Sequence, residues 1–288
     1  MDGQIIFVIW RESVEALLVI GILYNWLGRE ANARASRGYL WGGVGAGLAV
    51  ALALAFALTR LNTVFSGETQ DYFQTGMVFV AAILIVQMVV WIRAQGGGIK
   101  RTLEHGLDNA VRGRNLWGVF VLALVAVARE GSETVVFLYG ILAAAPVSSL
   151  LGLLGIIAVG FGAALATFAA LQIGSRFMPW RRFFQISEAM LLLLGCALTV
   201  TGVGKLVSLG LLPYGAPLWN TSWLLADTGK LGGLIAALTG YRSQPDMVTL
   251  ATWLGYWAVV ALVFWRPWGQ RPNALAPTAA PNMDGPEK

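Results

Sequence analysis

Arg11, Glu12 and Glu15 stand inside a run of Ile, Leu, Val and Ala that otherwise reads as lipid-facing helix, and the same trio returns at Arg129, Glu130 and Glu133. On an insertion scale each charge at the middle of a membrane helix costs roughly 2.5–3.5 kcal/mol. Six of them facing lipid alone would cost on the order of 15–20 kcal/mol. Ionisable groups at that depth therefore face a bundle interior, pair with one another and mark an ion or proton pathway. At about 3.6 residues per turn, side chains three and four apart share a helix face. Each arginine and its two glutamates thus occupy one arc of their helix.

The chain is a membrane protein by composition: 57% of its 288 residues are hydrophobic and 12% charged, against about 25% charged in soluble domains. About 20 apolar residues cross the hydrocarbon layer. Seven segments qualify: Gln4 to Leu27, Tyr39 to Thr59, Tyr72 to Ile92, Leu116 to Gly140, Leu150 to Ile173, Phe183 to Val207 and Val248 to Trp265. The fold expected is all-α, a polytopic bundle of seven transmembrane helices. Arg29, Arg34 and Arg37 fill the first connection, Arg93 to Arg114 the third, Arg176 to Arg182 the fifth, and Arg266 and Arg271 follow the last helix. The positive-inside rule then puts the N-terminus out and the C-terminus in. It also accounts for the net charge of +5 without nucleic acid.

The two motif copies are offset by 118 residues. Three helices, an odd number, separate their starts, so the halves lie upside down to each other: an inverted three-helix repeat plus a seventh helix, a plan that places a binding site near the midplane. Repeat one covers about residues 1–95 and repeat two about 115–208. An external loop follows at 209–247, then the last helix at 248–265, completing a permease domain over 1–266 and leaving a disordered cytoplasmic tail at 267–288. Leu103, Leu107 and Val111 recur at helical spacing between Gly96 and Asn115 and predict a surface helix. In the external loop the apolar, Gly-rich piece Lys230 to Leu238 predicts a re-entrant or interfacial segment.

If both motifs converge, four acids meet two bases, leaving a net charge of −2 made of hard oxygen ligands. Such a site suits hard cations and repels soft ones. Interhelical salt bridges that merely lock the bundle would not need four acids against two bases. Glu188 is the one further carboxylate inside an apolar run. It reads either as a residue snorkelling to the inner interface or as an exit. Glu68 and Asp71 read as a solvated loop or as the entrance. The single cysteine, Cys196, excludes an internal disulfide, the lone histidine, His105, lies in a polar loop, and no His-Glu-x-x-His run supports a zinc protease.

The paired Arg-Glu-x-x-Glu on the first and fourth of seven helices resembles the oxidase-dependent, high-affinity iron permease family and its bacterial members. Met88 to Trp91, Ala126 to Thr134, and Leu231-Gly232-Gly233 leading to Gly240-Tyr241 are similar as well. The resemblance implies a non-enzyme in the cytoplasmic (inner) membrane of a bacterium that moves iron as substrate, with no permanently bound cofactor. Glu12, Glu15, Glu130 and Glu133 would bind the metal, and Arg11 and Arg129 would be needed beside them. A periplasmic iron oxidase or iron-delivery protein would supply it, ferric iron being the species expected. A permease or proton-coupled carrier for another hard cation, such as manganese, is the alternative.

Overall fold

The computed structural model describes residues 2–27, 33–95, 116–144, 149–173, 180–227 and 229–265. Among them all regular structure is helical: α1 (Asp2–Leu27), α2 (Ala33–Val64), α3 (Glu68–Gln95), α4 (Leu116–Ala144), α5 (Leu150–Ile173), α6 (Trp180–Ser208), α7 (Lys230–Thr239) and α8 (Met247–Trp265). The surface helix expected between Gly96 and Asn115 and the tail at 267–288 lie outside the described residues. In an apolar solvent every backbone N–H and C=O must be satisfied within the segment, and the helix does this. All seven apolar segments are helices, and most run past the apolar stretch. At 32 residues α2 is about 48 Å long, well beyond the roughly 30 Å hydrocarbon layer. Hydropathy marks where a helix meets lipid, not where its hydrogen bonds end.

Five helices, α2, α3, α5, α6 and α8, are long and apolar enough to cross a membrane. The other two long ones, α1 and α4, have 26 and 29 residues. They are set apart only by the three motif charges that fall in every 18-residue stretch of either helix.

Small residues bring the helices together in two like pairs. In α2, a Cβ added at Gly43 would lie 2.8 Å from the Ala123 Cβ, and one at Gly47 would lie 2.8 Å from the Val127 Cβ and 2.9 Å from the Ala128 nitrogen. Gly131 faces Ala51 in the same way, so α2 and α4 run parallel. In α5, Gly160 sits against Ile6 and Ile9. Trp10 Nε1 donates to Thr167 Oγ1 at 2.9 Å, and Phe168 meets Gly21, so α1 and α5 also run parallel. Between the pairs, α1 and α4 are antiparallel, with Leu23 and Leu27 clustering with Val119 and Ala123. So are α3 and α6, where Phe79 packs on Gly202 and Ile85 on Gly195. Gly47→Leu is expected to prise α2 from α4 and lower the melting temperature of the detergent-solubilised protein, overpacking of this kind costing roughly 1–3 kcal/mol. Gly45→Leu, two residues away and facing open space, should leave it unchanged.

The end of the bundle that carries the N-terminus of α1 is closed by an ordered loop. Leu218 N–H donates to the Pro245 carbonyl at 2.9 Å and Thr221 N–H to the Ser243 carbonyl at 2.8 Å. Ser243 Oγ donates to Asp227 at 2.8 Å, and the Thr221 and Tyr241 hydroxyls lie 2.6 Å apart. The expected apolar piece is the ten-residue α7, about 15 Å long. It lies against α6 rather than on the bundle surface. Its cap Gly240, at φ +73°, takes the left-handed conformation that favours glycine and touches Ala197. Ala197 is 11 residues, about 16 Å, back from the end of α6. Gln4 of α1, buried, donates to the Ala237 carbonyl. Asp246 then caps α8, accepting the Thr249 N–H at 2.9 Å. Burial alone would raise the Asp246 pKa, but hydrogen bonds from Thr249, from its own backbone and from the Gly215 backbone together outweigh it and hold the carboxyl below its ordinary value. Asp246→Ala should cost about 1 kcal/mol at neutral pH. Because the folded pKa is depressed, the cost should fade as pH falls through that value, which melting curves at two pH values would read.

Candidate cation site

The α1 motif lies on the arc facing α4, and its arginine is enclosed by charged and polar neighbours. Arg11 Nη1 is 2.6 Å from Glu12 Oε1 and Nη2 is 2.5 Å from Glu15 Oε1. Its Nε donates to Ser187 Oγ of α6 at 3.1 Å, and Nη1 also to Met88 Sδ of α3 at 2.9 Å. Only 1% of its surface is accessible, and it is among the largest fully buried side chains. The α4 copy is built differently. Arg129 Nε donates to Glu133 Oε1 at 2.9 Å and lies 4.0 Å from Glu130 Oε1, with 36% of the side chain exposed. One motif is therefore sealed and the other faces an open side.

Carboxylate oxygens of Glu12, Glu130 and Glu133 all lie within 4.8 Å of one another. At an effective dielectric of about 20, two carboxylates at that distance repel by roughly 3–4 kcal/mol. The arginines offset only part of this. Moreover, the Oε2 atoms of all three glutamates are buried with no hydrogen-bond partner among the described residues. A buried acceptor left so is costly, and three converging ones are what a bound cation would satisfy. Among the described residues no nitrogen or thiolate ligand joins the group, so its donors there are hard oxygens alone.

Of the four glutamates singled out in the sequence, the structure brings three together. Glu15 sits one turn further along α1, held by Arg11, outside the three-carboxylate group though near Glu133 and Arg129. Glu68 and Asp71 are exposed in the first turn of α3, at the loop-covered end and away from the site. Glu188 is buried and ion-paired with Arg93 of α3, whose guanidinium lies 3.9 Å from the centre of the Phe264 ring. Sequence reasoning missed Ser187, gave Met88 no part in the site beyond its place in a family-like stretch, and counted Arg93 as a loop charge. The neighbouring Glu188 was the one signal pointing to Ser187 and Arg93.

Residues 4–266, spanning both motifs and every described helix, match the Iron permease FTR1 family. The chain belongs to that family. Among its relatives, the ferrous iron permease EfeU of Escherichia coli is 25% identical over 268 residues, covering 90% of this chain and 94% of the relative. The Yersinia pestis protein of the same name is 26% identical over 273 residues, covering 90% and 92%. The iron permease EfeU of Bacillus subtilis is 32% identical over 221 residues, or 74% of this chain and 44% of its own. No solved structure matches. Family membership and the five apolar helices make this chain a multi-pass membrane protein whose relatives are named as permeases.

Proposed function

We propose that this permease carries iron across the bacterial cytoplasmic membrane through a site shared by the two Arg-Glu-x-x-Glu motifs. The observation that carries the reading is the meeting of Glu12 with Glu130 and Glu133, from opposite copies, within 4.8 Å. Glu15 is the fourth ligand, released by Arg11 when the ion arrives. Seven membrane crossings, with the N-terminus outside, agree with the arginines that the sequence places in the first, third and fifth connections. An inverted repeat agrees with the packing: Ile9 and Val127 are 118 residues apart, and the glycines facing them, Gly160 and Gly47, are 113 apart.

Ferric iron, handed over by a periplasmic oxidase or iron-delivery protein, suits an all-oxygen donor set best. The exposed Tyr214, Trp219 and Trp223 of the outer loop, with Glu68 and Asp71 at the same end, offer that partner a docking face. A second reading, transport of ferrous iron, is favoured by the names of the Escherichia coli and Yersinia pestis relatives and by a site charge of −2. Uptake of radioactive iron into proteoliposomes, with the ion held ferric in one arm and ferrous in the other, separates them. Iron is expected to enter, faster in the ferric arm, and a tenfold excess of manganese should not compete. Transport of manganese without iron would overturn the reading.

A further inference from the structure

Beyond the site, toward the basic end of the bundle, the described residues hold a single carboxylate. Asp2, Glu68, Asp71, Asp227 and Asp246 all belong to the opposite, loop-covered end. Glu188 follows Ser187, whose hydroxyl accepts the hydrogen bond of Arg11 Nε, so it stands beside the anchor of the central site. Its partner Arg93 lies five residues, about 7–8 Å, past Met88, which touches the other side of Arg11. Phe264, under the Arg93 guanidinium, is the second-last residue of α8. The pair thus spans from the level of Arg11 to the basic end and ties α3, α6 and α8 together. Its two halves are unequal: the Glu188 side chain is 10% exposed and that of Arg93 is 50%.

We propose that Glu188 is a second, transient binding position for the transported cation, and that Arg93 is the counter-ion the cation displaces there. The inference rests on the iron-permease reading above. An ion leaving the three carboxylates moves toward loops rich in arginine, which repel it, and conduction needs a further site that binds weakly enough to release. Glu188 supplies that step by exchanging one cation for another. Arg93, half in solvent and stacked on Phe264, has room to withdraw while its charge stays hydrated. Once the ion has left, the guanidinium returns, restores a neutral pair and closes the way back.

The test is iron uptake by the full chain in proteoliposomes, with Glu188→Gln, Glu188→Asp and the double change R93Q/E188Q at matched protein levels. Glu188→Gln should lower the maximal rate about tenfold with KM within about twofold, since loading of the central site is untouched. Glu188→Asp should recover most of the rate, and the double change should stay as slow as Glu188→Gln. A wild-type rate in Glu188→Gln, or recovery in the double change, would overturn the proposal and make the pair a packing pin. Should Glu188→Gln fail to reach the membrane, the double change, which buries no unpaired charge, decides alone by the same criterion. If the unaltered chain moves no iron, the permease reading itself fails.

Discussion

Glu130→Gln is expected to abolish iron uptake while raising, not lowering, the melting temperature of the metal-free protein. The two effects share a cause. Glu130 is one of three carboxylates whose oxygens crowd within 4.8 Å, and its buried Oε2 has no hydrogen-bond partner among the described residues. Making it neutral removes two repulsive pairs, each worth roughly 3–4 kcal/mol at an effective dielectric of about 20, against the loss of one attraction of like size to Arg129 at 4.0 Å, and the amide keeps the shape. The Arg129 bond to Glu133, at 2.9 Å, survives. The metal, however, loses a ligand. Altering even the groups that merely orient ligands costs about 10–100-fold in affinity, so uptake should fall at least about 100-fold. If the motifs were locks between helices, the same change would destabilise the protein. Uptake and thermal melting on one preparation therefore separate the two roles.

The second large effect concerns the arginines, which the motif makes look equivalent and the structure does not. Arg11→Gln would leave Glu12 and Glu15 facing each other in a sealed interior without their counter-charge. Removing one partner of a buried ion pair costs about 3–5 kcal/mol. Against a total stability of roughly 5–15 kcal/mol that is a large loss, so this variant should be scarce in the membrane. Arg129, with 36% of its side chain exposed and Glu130 as far as 4.0 Å away, is less enclosed than Arg11, so its loss should cost less. Arg129→Gln should therefore reach the membrane at near wild-type level. Both should fail in uptake, Arg129→Gln because a site of charge −3 holds the ion too tightly to release. Membrane levels and uptake, compared side by side, check the asymmetry; equal levels for the two variants would count against it.

That asymmetry shows where sequence reasoning stopped. The seven long helices were legible because lipid leaves the backbone almost no other way to satisfy its hydrogen bonds. The motif spacing likewise placed each trio on one arc. What spacing could not reveal was which neighbours each arc would meet. Ser187 and Met88 come from other helices and hold Arg11, while Arg129 faces an open side, so identical motifs became unlike sites. Arg93 was hidden for a related reason. The apolar run ends at Ile92, but α3 continues to Gln95, and the side chain turns back into the bundle to meet Glu188. The Gly-rich piece in the outer loop stood out as apolar, but its seat on α6 depends on Gly240 fitting against Ala197, which no local pattern encodes.

The account stands or falls on whether α1 and α4 hold one ion between them. Equilibrium iron binding to the purified protein, with Glu12→Gln and Glu130→Gln as separate variants, tests this directly. One tightly bound ion per chain, lost in either variant, is the predicted result. Two ions of which each variant loses one, or binding that survives both changes, would show that the two clusters do not share a site.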